Sequence, residues 1–377
     1  MAYRRSESHL SIGRKLLRLD WGLVLLISLT ASIGFAMLYS AANGSLEPWA
    51  MQQIKRFAMG MALMLAIALT DIRFWLRWAY VIYLAALGLL VGVEIAGTTG
   101  MGATRWINLG FINLQPSEVM KIALVLALAR YFHGRSLDEV GRITYLIPPL
   151  ALMAVPTALV LRQPDLGTAL LLVAGSAVVL FLAGVRLWKF GFALAGLLAA
   201  LPVVWSQLHD YQKGRVLTFL NPERDPLGAG YHIMQSKIAL GSGGVSGKGF
   251  LEGTQSHLNF LPEMRTDFIF TMLAEEFGMI GAVLLLGLYA LILIYAYIIG
   301  FRSRNQFGRL TAIGIAATFF LYVFINVGMV TGLLPVVGVP LPLISYGGTA
   351  MLTLMIGFGL ILSVSIHRHV DIARNDS

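Results

Sequence analysis

There is no cysteine among the 377 residues of this chain, so neither a disulfide nor a thiolate nucleophile is available to it. Charge is scarce too. Asp, Glu, Lys and Arg make up 12% of the residues, against about one quarter in an ordinary soluble domain, while hydrophobic residues reach 57%. That balance excludes a water-soluble globule. The short alternating apolar segments of a membrane β-barrel are missing, as are fixed-period repeats and low-complexity linkers. The first apolar run follows a basic tail but lacks the small-residue cleavage pattern of a signal peptide, and at about 20 residues it reads as a retained span.

What the chain has instead is a series of apolar stretches of about 17 to 25 residues, each long enough to cross a hydrocarbon core of roughly 30 Å as an α-helix. They fall at 20 to 40, 54 to 70, 78 to 97, 117 to 133, 145 to 161, 166 to 184, 189 to 207, 268 to 299, 310 to 333 and 346 to 366. The expected fold is all-α: a polytopic integral membrane protein with about ten transmembrane helices, forming one domain over 1–377. Connections are short except for 98 to 116 and a large extracytoplasmic loop between helices 7 and 8, at 208 to 267. The eighth span is unusual, because 277 to 299 is apolar enough to cross alone while 263 to 276 holds Glu263, Arg265, Asp267, Glu275 and Glu276. On a continuous helix Asp267 would lie about 12 Å above Glu275, with Thr271 on the same face.

The net charge of +9 has its explanation in placement. If the tail bearing Arg4, Arg5, Arg14, Lys15 and Arg18 is cytoplasmic, the same side gains Arg73, Arg77, Arg130, Arg135, Arg142, Arg186 and Lys189. It also gains Arg302, Arg304, Arg309, Arg368 and Arg374. This is the positive-inside pattern, with cytoplasmic tails at 1–19 and 367–377. No basic helix with interleaved aromatics suggests a nucleic-acid partner.

Four stretches on the outer side carry chemistry. In "GATRWINLGFINLQPSEVMK" (102 to 121) Pro116 suits the first helical turn and Glu118 its positive dipole end. Lys121, three residues on, reads either as a structural ion-pair partner or as a site for an anionic ligand. Trp106 reads as an interfacial anchor. In "RQPDLGT" (162 to 168) Asp165 reads as an N-cap. The stretch "GSGGVSGKGF" (241 to 250) fails the GxxxxGK[ST] test, having Ser242 and Gly249 where Gly and Ser or Thr are required. It reads as a flexible turn, or as free amides around Lys248 that could hold a diphosphate. In "LPEMRTDFIF" (261 to 270) Thr266 or Asp267 could cap the eighth helix. An acid with several cations at one membrane face also suits a lipid-linked anionic substrate.

Taken in order, "QPSE", "QPDLGT", "DPLGAGYHIMQSKIALGSGG", "GTQSHLNFLPEMRTDFIF", "AEEFG" and "PLPLISYGG" resemble the SEDS family across essentially the whole chain. "VVGVPLPLISYGG" and the short tails are more similar to its elongation branch than to its division branch. The resemblance implies a ten-helix glycosyltransferase of the bacterial inner membrane that polymerises lipid II into peptidoglycan during elongation, with its active site on the extracytoplasmic face. It implies Asp267, the aspartate of the PExxTD motif, as the catalytic residue, and Trp106, Glu118, Lys121, Gln212 and Thr254 as groups lining a central cavity. Lys248 joins them as a candidate cation. The family works with a class B penicillin-binding protein within a larger elongation complex and acts on lipid II and undecaprenyl-diphosphate-linked glycan. A divalent cation, Mg or Mn, would suit the departing diphosphate; no organic cofactor is implied. This chain departs from the family pattern at Met264 and Arg265 beside Asp267, and at Gln52 in "MQQIKRF", where Lys55 or Arg56 would have to supply the cation.

Two other classes fit ten spans with outer polar groups: a lipid II flippase, and a non-catalytic scaffold for a transpeptidase. Gathering of acids and bases at the outer boundary favours an enzyme, since an alternating-access site belongs near the midplane.

Overall fold

The computed structural model describes residues 11–100, 103–108, 113–207, 210–225, 228–257 and 263–372. Arg4, Arg5 and Arg374 of the basic tails lie outside the described residues. After a short helix α1 (Ile12–Leu17) come α2 (Trp21–Ala41), α3 (Trp49–Leu69) and α4 (Ile72–Ala96). Three short strands follow, β1 (Thr98–Gly100), β2 (Ala103–Asn108) and β3 (Asn113–Leu114). Next are α5 (Pro116–Phe132), α6 (Leu137–Gly141), α7 (Ile147–Arg162), α8 (Leu166–Leu182) and α9 (Leu187–Gln207). The chain continues through α10 (Asp210–Leu220), α11 (Ala229–Ser242) and α12 (Thr254–His257), then α13 (Ile269–Arg302), α14 (Gln306–Val330) and α15 (Gly348–Ile366).

Each apolar stretch expected to span lies on one of these helices. Among the described residues six helices are long and apolar enough to cross a membrane by length and composition: α2, α4, α7, α13, α14 and α15. Helix α8 and the Leu187–Pro202 part of α9 are shorter apolar segments, while α3 carries Lys55 and Arg56 and α5 carries Glu118, Lys121 and Arg130. The fold is predominantly helical, as expected, and residues within the expected outer loop at 98 to 116 add a small antiparallel sheet in the order β1-β2-β3. The 208 to 267 connection contains α10, α11 and α12.

Helix α5 is the axis of the bundle. It is apolar on nearly every side, and a helix without a polar face has to be enclosed. Every residue from Met120 to Ala129 is buried, against α4, α7, α8, α14 and α15. The outer helices instead turn large apolar side chains outward, among them Leu25, Leu84, Val155, Val283 and Leu284, as a lipid-facing surface requires. Helices α3 and α15 approach closely at Gly359, where a Cβ would stand 2.8 Å from the carbonyl of Met64; small residues permit such contact between apolar helices. Ser365 Oγ of α15 donates to Asp20 Oδ2 (2.6 Å) at the start of α2, so the two ends of the described chain lie at one end of the bundle.

The eighth span is not one straight rod. Helix α13 has 34 residues but breaks at Gly278, whose φ of 65° and ψ of −161° are not helical. The glycine-rich stretch 241–250 docks into that break. Gly244 and Val245 carbonyls accept from Met279 (2.9 Å) and Ile280 (3.1 Å), while the amides of Lys248 and Gly249 donate to the Glu275 and Glu276 carbonyls, each at 3.0 Å. The backbone groups freed by the break are thus satisfied by the loop, as an apolar setting demands. Residues 269–276, which include both glutamates, are all buried in protein.

At Gly278 a Cβ would stand 2.3 Å from the Gly247 amide nitrogen and 2.5 Å from the Val245 carbonyl oxygen. Positive φ alone costs a side-chain-bearing residue about 1–2 kcal/mol. Gly278→Ala should therefore lower the thermal unfolding midpoint of the detergent-solubilised protein clearly. Gly88→Ala, where a Cβ meets nothing within 4 Å, should leave it unchanged or slightly higher; equal behaviour of the two would refute the docked-loop account.

Candidate active site

Asp267 lies in the turn before α13, and that turn is held from outside at three successive carbonyls. The carbonyl of Arg265 accepts from the Tyr346 amide (2.9 Å), that of Thr266 from Ser345 Oγ (2.5 Å) and that of Asp267 from Asn326 Nδ2 (3.0 Å). Asn326 is fully buried, and its amide also donates to the Val339 carbonyl (2.7 Å), tying the aspartate to the segment that leads into "PLPLISYGG". The Asp267 side chain is half-buried and faces Gly338, where a Cβ would stand 3.6 Å from Oδ2.

Neither Thr266 nor Asp267 caps α13, contrary to the sequence expectation. The capping position is Phe268, and no side chain caps the helix there. Thr266 Oγ1 instead donates to Glu263 (2.8 Å), and the Phe268 amide closes a turn onto the Glu263 carbonyl (3.2 Å). Asp267 consequently precedes the helix, shares no helical face with Glu275, and leaves Thr271 to pair with Ser236 (2.7 Å).

Glu118 and Lys121 meet one helical turn apart near the start of α5, with Nζ and Oε1 separated by 2.7 Å and both side chains almost fully buried. The sequence reading did not include Tyr322 of α14, which completes the cluster: its hydroxyl donates to Glu118 Oε2 (2.5 Å) and accepts from Lys121 Nζ. A signal for it existed, since Thr318, Tyr322 and Asn326 recur every four residues and form one polar stripe on an otherwise apolar helix. Tyr322 and Asn326 are about 6 Å apart along the axis, so the residue that grips Asp267 stands one turn from the residue that grips Glu118. The adjoining cavity, lined by Glu118, Lys121, Thr318, Tyr322 and Thr353, has a volume of about 20 Å³, room for about one water and far less than a sugar.

A second cluster surrounds Glu275, whose Oε1 takes Lys248 Nζ (2.8 Å), the Gln255 amide (3.0 Å) and Thr254 Oγ1 (3.2 Å); Lys248 also donates to Thr254 (2.7 Å). Lys248 is thus engaged in an ion pair, and the Lys248 and Gly249 amides are taken up by the α13 break. The stretch 241–250 is therefore packed against α13, with its Lys248 and Gly249 amides bonded rather than free. Asp165 does cap α8, accepting from the Thr168 amide (3.1 Å). It also faces Arg105 Nη1 (3.8 Å) and Gln115 Nε2 (3.4 Å), which joins the sheet to the starts of α5 and α8. Trp106 is half-buried on β2 opposite Thr98. Gln212 falls on α10, with its side chain outside the described residues.

Two guanidiniums without a carboxylate partner among the described residues gather beside the Asp267 turn. Arg265 lies over the Trp49 ring at 5.0 Å and Arg56 over the Tyr346 ring at 4.6 Å, arrangements favoured by the ring quadrupole. The Tyr346 hydroxyl also bonds Gln52. Gln52 therefore bonds the hydroxyl of the ring on which Arg56, one turn further along α3, is stacked. Among the described residues no three His, Asp or Glu side chains come together as a cluster that could hold a metal ion.

Comparison with known proteins adds to this geometry. Residues 15–370 match the family model FtsW/RodA/SpoVE, described as cell cycle protein. The chain is 46% identical over 350 residues to the peptidoglycan glycosyltransferase MrdB of Escherichia coli K12, covering 92% of this chain and 93% of the relative. It is 37% identical over 324 residues to the enzyme of the same name from Helicobacter pylori 26695, covering 83% and 82%. Among solved structures, the rod shape determining protein RodA of Thermus thermophilus superposes with a TM-score of 0.72 at 31% identity, covering 94% of this chain and 98% of that one. A chain of a peptidoglycan synthase complex that coordinates polymerization and crosslinking superposes with a TM-score of 0.82 at 34% identity, covering 94% and 99%.

The Glu118–Lys121 pair makes its own prediction. Lys121→Met leaves a buried carboxylate without its cation and should cost about 3–5 kcal/mol of stability. Adding Glu118→Gln should recover most of that loss, read as the thermal midpoint in detergent. A double variant as unstable as the sum of both single variants would mean that the two groups are not coupled.

Proposed function

Because this chain belongs to the FtsW/RodA/SpoVE family of cell cycle proteins, we infer that it is a peptidoglycan glycosyltransferase that polymerises lipid II into glycan strands during elongation. The observation that supports the mechanistic reading is the triple clamp on the backbone of residues 265 to 267, which holds Asp267 in the turn before α13, with Arg265 in the same turn and Arg56 stacked on Tyr346, whose amide bonds the Arg265 carbonyl. The donor is the growing strand, activated at its reducing-end MurNAc as the undecaprenyl diphosphate. The acceptor is the GlcNAc 4-hydroxyl of an incoming lipid II.

Asp267 acts as the general base. It takes the hydroxyl proton within about 2.6–3.2 Å as the oxygen attacks the anomeric carbon and the C–O bond to the diphosphate breaks. An α-linked donor gives a β-linked product by direct displacement, so no covalent enzyme intermediate is required and one carboxylate suffices. Arg265 and Arg56 receive the charge that develops on the departing diphosphate. They suit this better than Lys121 and Lys248, whose charges are already met by Glu118 and Glu275. A magnesium or manganese ion would be held largely by the diphosphate itself, as Mg²⁺ commonly is. Glu118, Lys121 and Tyr322 brace α14 beneath the site, and contact with substrate would need α5 and α14 to part. Trp106, Thr254 and Gln212 would line the cavity that takes the substrate.

In this reading the chain crosses the inner membrane ten times, with both termini cytoplasmic and Asp267 at the extracytoplasmic face. The common location of Asp20 and Ser365 supports an even number of crossings. The superposition on a chain of a synthase complex supports a transpeptidase partner, a class B penicillin-binding protein, with further elongation proteins around it. The gathering of acids and bases at the outer boundary disfavours a flippase, whose site belongs near the midplane.

Asp267→Asn preserves shape and removes basicity. Polymerisation of labelled lipid II by the purified protein with its transpeptidase partner should fall by about 10²–10⁴-fold, the usual share of general-base catalysis. Expression and partner binding should stay at the wild-type level, and full activity in this variant would end the general-base reading.

A further inference from the structure

A cavity of about 240 Å³ lies at the opposite end of α13 from Asp267, between the start of α2 and the ends of α13 and α15. Its polar lining is Asp20, Arg302, Ser365 and Arg368, and its apolar wall includes Tyr295 and Ile298. Arg302 and Arg368 face one space with no carboxylate within ion-pair distance among the described residues. Asp20 lines it too, but its Oδ2 already receives the Ser365 hydroxyl at 2.6 Å. A cation in the last turn of a helix is ordinarily explained by the dipole. Two guanidiniums converging on one cavity leave a surplus of positive charge that the dipole of α13 does not account for.

The positions are built in. The Arg304 amide donates to the Arg368 carbonyl (3.0 Å) and Asn305 Nδ2 to the Val370 carbonyl (3.2 Å), so the turn after α13 pins the chain after α15 and holds the two arginines at fixed places. Arg368 gives its Nε–H to His369 (3.1 Å), which leaves its remaining N–H groups for a ligand. Tyr295 and Ile298, one turn apart on α13, are 37% and 41% exposed, so the cavity opens along the apolar flank of that helix.

We propose that this cavity binds the phosphate of an anionic membrane phospholipid, with Arg302 and Arg368 on the phosphate and the acyl chains along Tyr295 and Ile298. Basic pockets between helix ends at the cytoplasmic surface suit lipid headgroups. Planar guanidiniums match phosphate oxygens in pairs. A free phosphate would use the same cations but would gain nothing from the apolar flank. The assignment rests on the reading that this end of the bundle lies at the cytoplasmic membrane surface, and it is independent of the chemistry at Asp267.

The test is native mass spectrometry of the delipidated full-length protein titrated with phosphatidylglycerol, phosphatidylcholine or inorganic phosphate, with lipid II polymerisation measured on the same preparations. Wild type should retain phosphatidylglycerol in preference to phosphatidylcholine, and inorganic phosphate should not displace it. Arg302→Gln and Arg368→Gln should each weaken phosphatidylglycerol binding about 5-fold, and about 25-fold together, while polymerisation persists. Asp20→Asn, which removes the one negative charge and keeps an oxygen for Ser365, should tighten binding and decides the matter if the arginine variants prove unstable. Undiminished lipid binding in the double variant, weaker binding in Asp20→Asn, or equal retention of phosphatidylcholine would each overturn the proposal. Displacement by inorganic phosphate would overturn the lipid assignment in favour of a soluble anion. If polymerisation is intact in wild type while lipid selectivity is absent, this proposal fails and the glycosyltransferase reading stands.

Discussion

Carboxylates buried in an apolar bundle set the placement of much else, because each must find a cation or a hydroxyl without bulk water. Glu118 takes Lys121 and Tyr322, Asp165 takes Arg105 and a helix amide, Glu275 takes Lys248 and two further donors, and Glu276 takes Ser40. Each of these links joins two elements or fixes one against its neighbour. Pairing through a buried charge seldom adds net stability over apolar packing, yet breaking it is expensive. Its effect here is to fix which helix turn faces which.

That constraint reaches the candidate base through α14. The stripe of Thr318, Tyr322 and Asn326 is anchored at Tyr322 by the Glu118–Lys121 pair, and Asn326 then holds the Asp267 carbonyl. A side chain expected to meet a sugar hydroxyl gains from being fixed before substrate arrives, because orientation then costs nothing during the reaction. The clamp acts on backbone carbonyls and leaves the Asp267 carboxylate itself facing Gly338. Charge balance separates the cations in the same way. Lysines with carboxylate partners hold the frame, while arginines stacked on Trp49 and Tyr346 keep their charge available.

The apolar stretches were legible in the sequence because hydrophobic length is a local property, and every one lies on a helix. The Glu118–Lys121 pair was legible for a similar reason, since a three-residue spacing on a helix brings side chains together. Tyr322 and Asn326 were only partly so: their four-residue spacing with Thr318 marks a polar stripe, but their partners are about 200 and 60 residues away in sequence and the spacing does not name them. The ion pair of Lys248 with Glu275 is not visible in the sequence, because the two are 27 residues apart, and neither is the close approach of the surrounding glycines to the Gly278 break. The sheet at 98 to 114 escaped notice since its strands are two to six residues long, too short for alternation to show.

The break at Gly278 resolves the oddity of an acid-rich start to a membrane helix. Unbroken, the 34 residues of α13 would extend about 51 Å, well beyond a hydrocarbon core of about 30 Å. Residues 279–302 alone reach about 36 Å, so they suffice for the crossing, and the part before the break need not meet lipid at all. It is enclosed in protein, where Glu275 and Glu276 find partners. Asp267 then stands beyond the crossing segment while remaining joined to it. The proposed substrate, with a sugar head and a lipid tail, would suit a carboxylate set beyond the crossing segment and tied to a helix that runs through the hydrocarbon.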